Sequence, residues 1–229
     1  MRLFRIFLIA LIVLSFTSCK TLITKEDFAP KMYEEHPVSI LVLPPINKTT
    51  AADAKEYYAT TVAEPLTNTG YYVFPMEVVY DILQQEGLSD TETMFNIPTA
   101  KFREYFGADA VLYVTLLEWD TQYLLTTGGV TVKAECELKS TTTGENLWYY
   151  NETVTVSTEG SSGGAGGLLG LIVKAATTAL LTATQDYIPL AREANKIIFK
   201  AMPYGKYHKE YNLDQKYKIE KKEAEKEKI

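Results

Sequence analysis

Apolar and polar positions follow two rhythms along this chain, and each rhythm predicts a different kind of element. In the run Val-Thr-Val-Lys-Ala-Glu-Cys-Glu-Leu at 130–138, apolar side chains fall at 130, 132, 134, 136 and 138. A period of two puts all five on one face of a strand. Residues 129–140 therefore read as a strand, 141–146 as a turn containing Gly144, and 147–157 as the returning strand of a hairpin with one buried face. Residues 38–43 form a short apolar run stopped by Pro44 and Pro45, which fits a buried strand. Residues 110–117 are apolar at both parities, the pattern of a central strand covered on both sides. A further short strand is expected at 71–74.

Helical spacing appears between these runs. It predicts helices at 51–68, with Pro65 disturbing the last turn and Gly70 as its stop, at 76–85 before Gly87, and at 98–106 before Gly107. A further helix is expected at 189–201 with Pro189 in its first turn, and the apolar stretch 168–183 reads as helical as well. The order predicts an α/β fold: a single domain with a mixed sheet of about five strands flanked by helices, parallel early and antiparallel late. The domain is expected at 38–210, with a glycine-rich loop at 160–170. The Lys- and Glu-dense end, 211–229, reads as a solvated charged tail.

Composition narrows the function classes. The 229 residues are 46% hydrophobic and 23% charged, an ordinary globular balance. The net charge is −6, and it becomes −8 without residues 1–18, whose only charges are Arg2 and Arg5. Such a chain has no electrostatic basis for binding nucleic acid. Two cysteines exclude a disulfide framework and a cysteine-built zinc site, and two histidines leave little for imidazole-based catalysis. No metal or other cofactor is implied.

The N-terminus addresses the compartment. Arg2 and Arg5 precede an unbroken apolar run at 6–14, and Ser15, Thr17 and Ser18 lead to Cys19. Residues 1–18 thus read as a signal peptide ending at a bacterial lipobox, with Phe16 where that pattern prefers Leu. Cleavage before Cys19 would place acyl chains on its thiol and new amine. The run is too short for a retained membrane span, which needs about 20 apolar residues. Conventional cleavage with an incidental Cys19 is the other alternative. Residues 19–37 read as a lipidated tether, and Lys20, standing where Asp would signal inner-membrane retention, favours the outer membrane. Cys136, at an inward position of its strand, reads as a buried core residue.

The runs 38–47 (VSILVLPPIN), 70–75 (GYYVFP), 106–113 (FGADAVLY), 143–148 (TGENLW) and 202–207 (MPYGKY) occur in this order behind the lipobox. Together they resemble a bacterial lipoprotein family of uncharacterised function whose neisserial member is a surface antigen and vaccine candidate. The resemblance implies a fold similar to the TolB N-terminal domain and the CsgG periplasmic domain. It also implies a place in an envelope complex, with a CsgG-like lipoprotein as a partner. It brings no catalytic residues.

Candidate chemistry is sparse. His36 lies in the expected tether and His208 near the expected tail, and no Gly-x-Ser-x-Gly elbow occurs. Glu118 and Asp120, on one face at the end of the central strand, could hold a cation in a metal-assisted envelope hydrolase. The stretch 160–170 misses the dinucleotide fingerprint and reads as a Gly/Ser linker. Residues 166–183 are more apolar than a surface helix allows. Three placements suit them: burial beneath the last helix, a partner face carried by Leu168, Leu171, Ile172, Ala175, Ala179 and Leu180, or insertion beside the bilayer. The sequence thus predicts a non-enzymatic outer-membrane lipoprotein facing the periplasm or the cell surface. It would bind other envelope proteins, as a homo-oligomer or pore subunit in one variant.

Overall fold

A computed structural model describes residues 21–124, 127–157, 171–174 and 188–221. In chain order its elements are β1 (Thr21–Thr24), α1 (Lys25–Phe28), α2 (Pro30–Glu35), β2 (Ser39–Val42), β3 (Ile46–Asn47) and α3 (Ala54–Asn68). Then come β4 (Tyr72–Val73), α4 (Met76–Gln85), α5 (Thr91–Phe95), α6 (Thr99–Phe106) and β5 (Ala110–Leu124). The chain continues through β6 (Thr127–Ser140), β7 (Asn146–Ser157), β8 (Leu171–Lys174), α7 (Ile188–Lys200) and β9 (Lys218–Lys221).

Among the described residues the main sheet has seven strands, in the order β4-β2-β5-β6-β7-β8 with β3 also paired to β5. β2 runs parallel to β4 and β5, and β5, β6 and β7 form an antiparallel meander. This is the mixed α/β sheet that the pattern predicts. All five expected strands are present, and β3 and β8 add to them. A separate two-stranded sheet pairs β1 with β9, antiparallel, with Thr21 opposite Lys221.

Burial explains the two strand rhythms. On one face of the sheet, Leu112, Val114, Leu116, Val132, Cys136, Leu138, Trp148 and Val154 pack with Tyr58, Val62 and Leu66 of α3 and Ala191, Ile198 and Phe199 of α7. On the other face, Leu41, Leu43, Val111 and Tyr113 meet Val79, Leu83, Met94 and Phe102 from α4, α5 and α6. The second layer covers β2 and the start of β5. β6 and β7 contribute inward residues to the first core alone, so they alternate while β5 begins apolar at both parities. Between Leu116 and Glu118 the β5–β6 register shifts by a bulge. The extra residue changes the inward parity, so Trp119 rather than Glu118 turns into the core.

Three expectations are corrected. From Thr21 onward the expected tether belongs to the fold: Ala29 and Met32 are buried, and β1 pairs with β9. The expected charged tail begins inside the body, where Asp214 is wholly buried and 218–221 form β9. Lys25 explains both, since one buried cation demands a buried partner and finds it across the chain. Residues 171–174, expected in a helix, form an extended strand parallel to the end of β7. Ile172 and Val173 are β-branched and have a strand edge beside them, and that local choice overrides the helical reading. The remainder of 166–183 lies outside the described residues. The sequence pattern passed over α5, which Asp90 caps by accepting a hydrogen bond from Thr93 N.

Candidate functional site

The first candidate region is the clasp that closes the N- and C-terminal segments onto each other. Lys25 is 3% exposed, and its Nζ donates to the Met202 carbonyl at 2.8 Å and to Asp214 Oδ2 at 3.0 Å. The same ammonium sits 3.9 Å from the centroid of the Tyr204 ring, a cation–π contact. Asp214 is satisfied on both oxygens: Oδ2 also accepts from Tyr204 N at 2.9 Å, and Oδ1 accepts from Tyr33 Oη at 3.1 Å. Burial pushes the Lys25 ammonium below its ordinary range while Asp214 pulls it back up. Burial, with Asp214 beside it, pushes the Tyr33 phenol upward.

A glycine pair pins this clasp to the body. Gly70, at a φ of 92°, and Gly205 approach so closely that a Cβ on Gly205 would fall 2.5 Å from the Gly70 carbonyl oxygen. Gly205 N donates to Thr69 O and Tyr207 N to Gly70 O, while Tyr71 Oη donates to Pro203 O at 2.6 Å. His208 stacks on Tyr204, with centroids 3.7 Å apart, and His36 meets Tyr211 edge-on. Both histidines therefore serve aromatic packing in the clasp.

A second polar cluster joins β2 to β5. Asp109 Oδ2 accepts from Val38 N, Ser39 N and Ser39 Oγ at 2.9–3.1 Å, and Arg103 Nη1 lies 3.6 Å from Oδ1. Val38, Arg103 and Asp109, with Glu35, His36, Pro37 and Thr142, line a shallow cleft of about 210 Å³. The Asp109 carboxylate is occupied by the strand start that it holds, so the cleft is an architectural joint.

The other predicted residues are placed as follows. Cys19 lies outside the described residues, two positions before β1. Leu171 and Ile172 stand in β8, while Leu168, Ala175, Ala179, Leu180 and the 160–170 loop lie outside the described residues. Glu118 and Asp120 share one exposed face of β5, opposite Lys133 and Thr131 in register. No cluster of three or more His, Cys, Asp or Glu residues able to hold a metal occurs among the described residues. Cys136 is wholly buried, 3.6 Å from Tyr58 Oη, and burial pushes its thiol up to about 12. Sequence reasoning missed Lys25 and Asp214. Each stands among other charged and polar residues in segments that read as exposed, and no spacing marks either as buried.

A family model described as "Putative lipoprotein GNA1162-like" matches residues 27–205. The chain belongs to this lipoprotein family. It is 32% identical over 174 residues to "Putative lipoprotein NMB1124/NMB1162" of Neisseria meningitidis serogroup B, which spans 76% of this chain and 80% of that protein. The family resemblance read from the five ordered motifs is thereby shown. Among solved structures, lipoprotein GNA1162 from Neisseria meningitidis is similar at 34% identity and a TM-score of 0.47, covering 57% of this chain and 89% of that one. The PelC dodecamer from Paraburkholderia phytofirmans aligns at 13% identity and a TM-score of 0.45, over 80% of this chain and 95% of that one. The LpoB C-terminal domain from Salmonella enterica aligns at 19% identity and a TM-score of 0.35, over 57% of this chain and 95% of that one. The match of the GNA1162-like family stops between the clasp's two charges, since Lys25 precedes residue 27 and Asp214 follows residue 205.

Proposed function

We propose that this GNA1162-like lipoprotein is held in the outer membrane by acyl chains on Cys19 and works, without catalysis, by binding other envelope proteins. The observation that supports the binding role is the position of β8. Its sequence is Leu-Ile-Val-Lys, and it ends the main sheet on the β7 side among the described residues. A strand in that position offers one row of backbone N–H and C=O groups to a further strand. The contact would run through β8 and the apolar and glycine-rich residues on either side of it. Its occupant would be an envelope protein, with a CsgG-like lipoprotein the partner that the family resemblance implies, or a second copy of this chain.

Photo-crosslinking in cells tests the reading. A crosslinker at Leu171 or Lys174 should capture a discrete envelope protein or a second copy of the chain. One at Val78, on α4, should capture none. Equal, diffuse labelling from all three positions would refute β8 as the contact. Cys19→Ala should abolish acylation, read as the loss of lipid mass from the mature protein. Unchanged lipid mass would sink the anchor.

A further inference from the structure

Only Lys20 separates Cys19 from the first residue of β1. Two residues of chain span at most about 7 Å. Given the acylated Cys19 proposed above, on which this inference rests, the end of the β1–β9 sheet is held at the depth of the lipid headgroups. There is no slack for the body to stand off or tumble.

The clasp has the chemistry for that position. Among the described residues, the three most exposed large apolar side chains all belong to it: Tyr207 at 69%, Leu213 at 67% and Leu22 at 55%. Tyr217, 45% exposed, sits beside them, its carbonyl accepting from Lys25 N and its hydroxyl 3.4 Å from Glu210 Oε2. Lys206, Lys209, Lys216 and Lys218 are exposed in the same segments. Residues 206–221 carry five lysines against Glu210, Asp214 and Glu220, with Lys25 already occupying Asp214, while the acids of the clasp's other half, Glu26, Asp27, Glu34 and Glu35, lie in residues 26–35, so the ammonium groups gather on the C-terminal segment. Tyrosine and leucine with interspersed lysine is the composition that settles into a bilayer interface, where anionic headgroups meet the ammonium groups.

We propose that the clasp is a membrane-contact surface that docks on an anionic bilayer and fixes the orientation of the domain. The acyl chains supply the hold, and the clasp supplies the angle. β5 starts beside the clasp, since Asp109 holds Val38 and His36 meets Tyr211, and it extends roughly 45 Å at the usual rise per residue. β8 pairs with the far end of β7, so docking by the clasp directs β8 away from the bilayer.

Nitroxide labelling tests this on the acylated full-length mature protein. Cys19 is blocked by its acyl groups and Cys136 is buried, so single cysteines introduced as Leu213→Cys, Tyr217→Cys or Val78→Cys take the label alone. The probe surface is a vesicle of phosphatidylethanolamine and phosphatidylglycerol. Labels at 213 and 217 should favour collisions with oxygen over a soluble nickel chelate, as headgroup-depth sites do. The label at 78, on a helix packed against the opposite face of the main sheet, should remain fully aqueous. Lys216→Glu with Lys218→Glu should return the label at 213 to water while the protein still floats with the vesicles. Acylated, floating protein whose three labels are equally aqueous overturns the docking surface alone. Protein that lacks acyl mass and fails to float overturns the anchor, and the docking surface with it.

Discussion

The core of the main sheet and the charged centre of the clasp are both buried, yet they are built by opposite means. The sheet closes on side chains such as Leu112, Val114, Trp148 and Phe199, recruited by many weak apolar contacts. The clasp closes on one ammonium, one carboxylate, two tyrosines and two glycines, brought together across a separation of 189 residues. An apolar core degrades gradually, because each methylene contributes a share. A buried ion pair fails at once, because either partner alone is a buried charge without compensation.

High pH should have the largest effect, acting on Tyr33 of the clasp as well as on the sheet. Cys136, Tyr58 and Tyr150 in its core, and Tyr71 beneath the clasp, all have pKa values raised by burial. Their neutral forms are favoured by folding, so their contribution is full below the ordinary thiol and phenol range and is lost as pH rises above it. Each group should cost about 1.4 kcal/mol per pH unit between its unfolded and folded values. Urea titrations should therefore show a steep loss of stability from about pH 9 upward. Lys25 has the opposite sign: its folded pKa is lowered, so its contribution rises as pH climbs through that value toward 10.5. Lys25→Met should therefore steepen the alkaline loss. An unaltered slope would mean that the clasp carries no buried charge.

Removing one clasp charge comes next. Asp214→Ala should cost about 3–5 kcal/mol in urea unfolding at neutral pH, comparable to Trp148→Ala at about 3–5 kcal/mol. Lys25→Met combined with Asp214→Leu should recover only part of the loss, since it removes the unpaired charge but leaves Tyr204 N and Tyr33 Oη without their acceptor. A cost below about 1 kcal/mol for Asp214→Ala would reduce the clasp to a surface pair. Gly205→Ala should cost about 1–3 kcal/mol, since the new Cβ has to displace the Gly70 carbonyl. The smallest effect belongs to Glu118→Ala with Asp120→Ala on the exposed face of β5. Stability should change by less than about 0.5 kcal/mol, with crosslinks from β8 intact. Loss of a measurable hydrolytic activity in that variant would instead revive the metal-assisted reading.

The sequence by itself determined five strands of the sheet, the longer helices that flank them and the burial of Cys136, because apolar periodicity is a local signal that reports which face is covered. The five ordered motifs were legible as a resemblance to a known family. Four of them lie where strands start, turn or stop, and 202–207 lies in the clasp. Tertiary structure alone decided three things. It moved 21–36 and 202–221 from tether and tail into a clasp, because one buried cation fixes its partner by position in space, which no spacing encodes. It turned 171–174 from helix to strand, because the edge of β7 exists only once the meander has formed. It turned Trp119 inward past the β5 bulge, because the extra residue is set by pairing with β6 and leaves no mark in the period before it.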